Sequence, residues 1–129
     1  MIIDTSAIIA ILAAEPEADR FTQAIVTNDV KTSAASFLEA AIVLDRRGSA
    51  ELSAELDRFI HWARAKIEPV TATQARLARR AYQQFGRGSG HPARLNFGDC
   101  FSYALAKETA EPLLFKGTDF AQTDVLVAA

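Results

Sequence analysis

The sequence predicts an α/β fold: a central parallel sheet of four to five short strands with helices on both faces. Three observations carry this. Short apolar runs of β character alternate with longer runs at helical spacing. Their order is strand, helices, strand, helices, strand, helix, helix, strand, which suits parallel pairing through helical crossovers. The length of 129 residues, half of them apolar, supports one sheet covered by helices but not two cores, so residues 1–129 are expected to form a single domain.

Each element has its own signal. The chain opens with the apolar run MII, a short strand, followed by SAIIAILAA, a helix that exits at Glu15-Pro16. ADRFTQAIVTND is a second helix ending at Asn28-Asp29, and VKTSA is a strand. SFLEAAIVLDRRG spaces Phe37, Leu38, Ala41, Ile42 and Leu44 helically and stops at Gly48; SAELSAELDRFIHWARA repeats the helical signal from Ser49. KIEPV is a strand broken late by Pro69, and TATQARLARRAYQQFG is a helix from Thr71 to Gly86. GRGSGHPARLNFG, with four glycines and a proline, is a loop long enough to be either an ordered functional loop or a lid. DCFSYALAKETA is a helix beginning at Asp99, PLLFK a fourth strand, GTDFAQTD a turn or short helix, and VLVAA a candidate fifth strand.

Composition removes several classes of function. Charged residues make up 23% of the chain, ordinary for a globular protein. The apolar run AIIAILAA is only eight residues long and follows an acid, so it is neither a signal peptide nor a membrane span, and a cytoplasmic location is expected. A single cysteine, Cys100, cannot form an internal disulfide, and with two scattered histidines it offers no zinc-finger-type site. His61 and His91 are expected on the surface or in a loop. The aromatic residues Phe97, Tyr82, Phe85 and Trp62 are expected to pack in the core, Trp62 alternatively in a dimer seam.

Four carboxylates fall at the carboxyl end of the expected sheet, where such folds bind ligands. Asp4 follows the first strand, Glu39 lies in the helix after the second, Asp99 starts the helix before the fourth, and Asp119 follows the fourth. Each has a local explanation. Asp4 suits a helix cap, Ser36 and Glu39 match a capping box, Asp99 suits a helix N-terminus, and Gly117-Thr118-Asp119 suits a turn. Together, however, like charges at one edge repel and raise one another's pKa unless a cation sits between them. Oxygen ligands without His or Cys suit Mg²⁺ or Mn²⁺, and such an ion equips a site for phosphodiester hydrolysis.

The stretches MIIDTSAIIAIL, SAASFLEAAIVL, NFGDCFSYALAKE and PLLFKGTDFAQTDV resemble the PIN-domain ribonucleases, and closely the VapC toxins of bacterial toxin-antitoxin pairs. The resemblance spans nearly the whole chain. It implies a PIN-like three-layer fold and a metal-dependent endoribonuclease, usually a homodimer, blocked by a cognate antitoxin and able to enter larger toxin-antitoxin assemblies. It also implies that Asp4 and Asp99 hold Mg²⁺ or Mn²⁺ most directly, that Glu39 is the third acid and Asp119 the fourth, and that Thr5 or Ser6 is the hydroxyl beside the first aspartate. Asp124 stands in a similar Thr-Asp pair and competes for the fourth place; Asp119, directly after the strand, is preferred.

From Val70 to Gly98 there is no Asp or Glu, whereas Arg76, Arg79, Arg80, Arg87 and Arg94 all lie there; the remaining 100 residues carry nine basic and sixteen acidic side chains. Arg76, Arg79 and Arg80 share one helix face, and Arg87 and Arg94 precede Asp99 in the glycine-rich loop. This basic stretch is the expected track for an RNA backbone. Two other functions compete: a non-catalytic RNA-binding module, and an aspartate-based phosphoryl-transfer domain. Against the second, Ser6 stands where a phosphatase of the haloacid-dehalogenase type needs a second aspartate, and the third strand ends in Pro69-Val70-Thr71 rather than in a phosphoacceptor.

Overall fold

In the computed structural model, which describes every residue except 49, strands β1 (Ile2–Ile3), β2 (Lys31–Ser33), β3 (Lys66–Glu68) and β4 (Leu113–Leu114) form one sheet in the order β3-β2-β1-β4. All pairings are parallel, with Ile2 beside both Lys31 and Leu113, and Thr32 beside Ile67. The strands are only two or three residues long. Helices α1 (Thr5–Leu12), α2 (Ala18–Val26), α3 (Ala34–Arg46), α4 (Ala50–Trp62), α5 (Ala72–Phe85) and α6 (Phe97–Thr109) fill the connections. The expected start of α4 at Ser49 lies outside the described residues.

The two-residue alternation of a strand divides the core into two layers. Ile3 and Leu114 turn to one face and pack with Ala7, Ile8, Phe21, Ile25, Leu44 and Phe59 of the first four helices. Ile2 and Leu113 turn to the other and pack with Ala81, Phe85, Tyr103 and Leu105 of α5 and α6. Ile2, Ile3, Leu113 and Leu114 are all fully buried, as a sheet covered on both faces requires. At the amino ends of the strands, Glu111 takes both Lys31 and the Met1 ammonium, so charge is compensated at that edge.

Several expectations need correction. α3 is capped by Ser33, whose side chain accepts from Ala35 N, so it starts before Ser36 and the Ser36–Glu39 capping box does not form. α6 starts at Phe97 behind the cap Asn96, which makes Asp99 its third residue and not its first. The expected fifth strand shrinks to one parallel bridge between Leu113 and Val127. Phe97 is 77% exposed rather than core; of the Tyr82–Phe85 pair only Phe85 is buried, and Trp62 is half-exposed with its ring 6.1 Å from that of Phe59. The loop after α5 is ordered by its own hydrogen bonds: Leu95 N to Phe85 O (2.9 Å) and Arg87 N to Leu95 O (3.0 Å) clamp its base, and His91 packs edge-on against Phe85.

Candidate active site

Asp4 leaves β1 and caps α1, so the same carboxylate that ends a strand begins a helix. Its Oδ2 accepts from Ser6 N (2.9 Å) and Ser6 Oγ (2.7 Å), and its Oδ1 accepts from Ser102 Oγ (2.5 Å). The residue is 4% exposed, a burial a carboxylate tolerates only with such donors. Ser102 has spent its one proton on Asp4, so at the 3.0 Å contact between Ser36 and Ser102 the donor is Ser36. On the other side Ser6 Oγ accepts from Lys116 N (3.0 Å), just after β4. A buried chain of hydroxyls therefore ties α1, α3 and α6 to one carboxylate.

Thr5 has a different task from Ser6. Its Oγ1 donates to Ser36 O (2.9 Å) and makes no contact with Asp4, so of the two candidate hydroxyls only Ser6 touches the acid. The residues missed by sequence reading are Ser36 and Ser102. Ser102 carried one faint signal: it is the polar residue in the apolar run CFSYALA, three positions after Asp99 and so on the same helix face.

Asp99 sits in the first turn of α6 in a reciprocal capping box, its Oδ2 accepting from Asn96 N (2.9 Å) while Asn96 Oδ1 accepts from Asp99 N (2.8 Å). Burial pushes its carboxyl up to about 6; the bond from Asn96 opposes this, and the charges of Asp4, Asp119 and Glu39 reinforce it. The other three sequence-predicted acids therefore all act on Asp99. The Glu39 carboxyl is raised too, by burial first and by Asp4 second. The residue is exposed, and its carboxylate lies against α6 at Gly98.

The fourth place separates Asp119 from Asp124. Gly117, at φ +103°, turns the chain sharply after β4, and Asp119 then heads a 3-10 turn over Phe120–Gln122 without a side-chain capping bond. Asp124 is committed elsewhere, accepting from Tyr103 Oη (2.7 Å) and from Lys107 Nζ (3.0 Å). Burial raises the Asp124 carboxyl, but these two donors outweigh it and hold it below the usual range.

Among the described residues, no ion pair involves Asp4, Glu39, Asp99 or Asp119. Lys116 is close in sequence to Asp119, but its ammonium is taken by Glu15 and Glu17. Arg76, Arg79, Arg80, Arg87 and Arg94 are all exposed, and none is among the charges that act on Asp99. Arg79 lines a groove of about 460 Å³ between α5 and α6 with Tyr82, Gln83, Phe97 and Phe101. A larger hollow, about 790 Å³, lies at the amino ends of β2 and β3 against Trp62, Arg64 and Lys66 and shares no residue with the acids.

The donor set suits a hard divalent cation: carboxylate oxygens only, partly buried and mutually repelling. The N-termini of α1 and α6 soften that repulsion but carry only partial charge. Among the described residues no three His, Cys, Asp or Glu side chains stand as a finished metal cage. Asp4 and Asp99 are instead turned toward the hydroxyl and amide donors named above.

A PIN domain model matches residues 1–126. The chain is 58% identical over 126 residues to ribonuclease VapC28 of Mycobacterium tuberculosis, covering 97% of this chain and 95% of that protein. It is 47% identical over 126 residues to ribonuclease VapC42 of the same species, covering 97% and 96%. Among solved structures, Mycobacterium tuberculosis VapC20, described as a sarcin-ricin loop cleaving toxin, superposes with a TM-score of 0.75 at 19% identity over 97% of this chain and 95% of that one. A toxin-antitoxin complex from Klebsiella pneumoniae gives a TM-score of 0.72 at 18% identity over 98% and 95%. With a parallel sheet in the order β3-β2-β1-β4, acids gathered at its carboxyl edge and a family match over nearly its full length, this chain belongs to the PIN domain family.

Proposed function

We propose that this protein is a Mg²⁺- or Mn²⁺-dependent endoribonuclease and the toxin of a toxin-antitoxin pair. The single observation that carries the reading is the gathering of acids at Asp99, whose carboxyl is raised by the charges of Asp4, Asp119 and Glu39 in addition to burial, while among the described residues none of the four acids forms an ion pair. Relatives 47–58% identical to this chain are named ribonucleases, which supports RNA as the substrate. Asp4, Asp99, Glu39 and Asp119 are the residues that would hold the ion. When bound, the ion supplies positive charge opposite a phosphodiester and acidifies water for attack.

The protein's own groups do the remaining work. Ser6 and Ser102 hold Asp4 in one orientation, and Asn96 does the same for Asp99. Glu39, with its carboxyl raised, takes the proton of the attacking water at a carboxylate oxygen. The exposed arginines of α5 and of the loop before α6 hold the RNA backbone. An antitoxin partner and a homodimer belong to the same reading, supported by the kinship with VapC ribonucleases.

The test is incubation of the purified protein, freed of any co-purified partner, with mixed RNA in Mg²⁺, in Mn²⁺ and in EDTA. Internal cleavage in either metal and none in EDTA is expected. Protection of RNA without cleavage would make the protein an RNA-binding module, and cleavage persisting in EDTA would overturn the metal dependence.

A further inference from the structure

Gly98 is the second residue of α6, between the exposed Phe97 and Asp99. Its backbone does not require glycine, since it is not among the residues with positive φ. Within a helix, glycine is less favourable than alanine. The reason for glycine must therefore lie in what surrounds it. A methyl group on its Cα would fall 2.0 Å from Glu39 Oε2, 3.0 Å from Cδ and 3.2 Å from Oε1, and these three atoms of one side chain are its nearest neighbours.

We propose that Gly98 is the positioning residue for Glu39: the missing side chain at position 98 is the seat of the third carboxylate, which fixes it beside Asp99 and within the field of Asp4. This rests on the metal-dependent reading above. α3 carries Glu39 and α6 carries Asp99, so the distance between two candidate metal-holding acids is set where these helices approach, and Gly98 is at that contact. Any larger residue moves the carboxylate, because the end of a glutamate side chain yields more easily than a helix backbone. The fold survives and the site changes. Gly98 is in this sense a residue of the site that carries no functional group.

The experiment compares wild type with Gly98→Ala, Glu39→Ala, the double variant Gly98→Ala/Glu39→Ala, and Gly98→Ala/Glu39→Asp. Three quantities are read: the thermal midpoint, Mn²⁺ affinity by titration, and the ¹³Cδ resonance of residue 39 in metal-free protein. For Gly98→Ala we expect an unchanged or higher midpoint, a shifted Glu39 resonance, and Mn²⁺ binding weakened by about 10–100-fold, the range for loss of a group that orients a ligand. In the Glu39→Ala background the same change should leave Mn²⁺ affinity unaltered. Shortening the acid by one methylene, in the Glu39→Asp variant, should restore part of the loss. An unmoved Glu39 resonance, or an equal loss of affinity with and without Glu39, would overturn the proposal. If the resonance moves but the wild type neither binds Mn²⁺ nor cleaves RNA, the positioning role stands and the nuclease reading fails.

Discussion

Ser102 donates to Asp4 across 2.5 Å although the two residues are 98 positions apart in the chain. The bond joins α6 to the end of β1, and with Ser36 behind Ser102 it also joins α3. Removing it leaves Asp4 Oδ1 buried without its donor and Ser36 without its acceptor. Ser102→Ala should lower stability by about 1.5–3 kcal/mol, the range for a hydrogen bond to a charged group. Urea denaturation of metal-free protein checks this. Because Asp4 then turns more freely, Mn²⁺ affinity should fall together with stability, whereas a purely structural bond would leave the affinity of the folded fraction unchanged.

Asp99 links stability, pH and metal. Its carboxyl titrates near 6 in the folded protein against an ordinary 3.8, so the folded state binds the proton more tightly than the unfolded one. Metal-free stability is therefore highest below about pH 4 as far as this group is concerned, and this contribution is lost as pH rises through about 6. Asp99→Asn removes the dependence. At pH 7 the metal-free variant should be more stable than wild type by about 1 kcal/mol, after discounting for partial solvent exposure. It should also lose RNA cleavage. In wild type, Mn²⁺ affinity should rise with pH through 6 as the competing proton leaves. A flat affinity between pH 5 and pH 7 would separate Asp99 from the metal.

Glu39 had a structural alternative in the sequence, and the geometry removes it. Ser33 caps α3, so Glu39 stands in the second turn with no capping bond to lose. Glu39→Gln keeps the shape that rests on Gly98 and should change stability by no more than about 0.5 kcal/mol. Cleavage should fall by about 10²–10⁴-fold, the contribution of a positioned acid or base. Wild-type turnover in this variant would leave the residue without a catalytic role.

The pair Asp119 and Asp124 gives an internal control. Asp124→Asn weakens the bonds to Tyr103 and Lys107, so it should cost about 1 kcal/mol of stability and leave cleavage intact. Asp119→Asn breaks no hydrogen bond of its side chain and should leave stability unchanged while reducing Mn²⁺ affinity and cleavage. The opposite pattern, measured by thermal melting and by RNA cleavage of both variants, would exchange their roles.

The division between what the sequence discloses and what it hides follows from the range of the interactions. Strand and helix order was legible because apolar spacing is a local property, and four acids at strand ends were legible because strand ends can be located from that spacing. The caps of α3 and α6 were misplaced, although Asp4 does cap α1 and Thr71 does open α5 as expected. Ser33 and Ser36 both precede an apolar run; Ser33 is the cap, while the hydroxyl of Ser36 is taken by Ser102 of a helix distant in sequence. Asn96 was hidden inside a loop-like composition, so Asp99 was read as the first residue of its helix when it is the third. Ser102 and Gly98 act on residues distant in sequence, Asp4 and Glu39, and no spacing rule connects them. Phe97 was read as core because it is aromatic, but in the first turn of α6 it faces outward, edge-on to Phe101.

The five arginines between Val70 and Gly98 are all exposed. If the α5 helix and the clamped loop carry an RNA backbone past Asp99, each phosphate contact releases counterions, and log affinity falls with log salt by roughly 0.7 per contact on a single strand. Arg87→Gln together with Arg94→Gln removes two such contacts and should flatten the slope by about 1.4. The substitution isolates charge, because glutamine is no better suited than arginine to the φ of +51° at residue 94, and the loop base is held by the backbone bonds between Phe85, Arg87 and Leu95. The measurement is RNA affinity over a salt series in Ca²⁺, which allows binding with little cleavage, alongside Mn²⁺ affinity without RNA. The slope should fall while Mn²⁺ affinity stays the same, since among the described residues neither arginine forms an ion pair with Asp4, Glu39, Asp99 or Asp119. Equal slopes in wild type and the double variant would move the RNA path off this loop and onto the face of α5 that carries Arg76, Arg79 and Arg80.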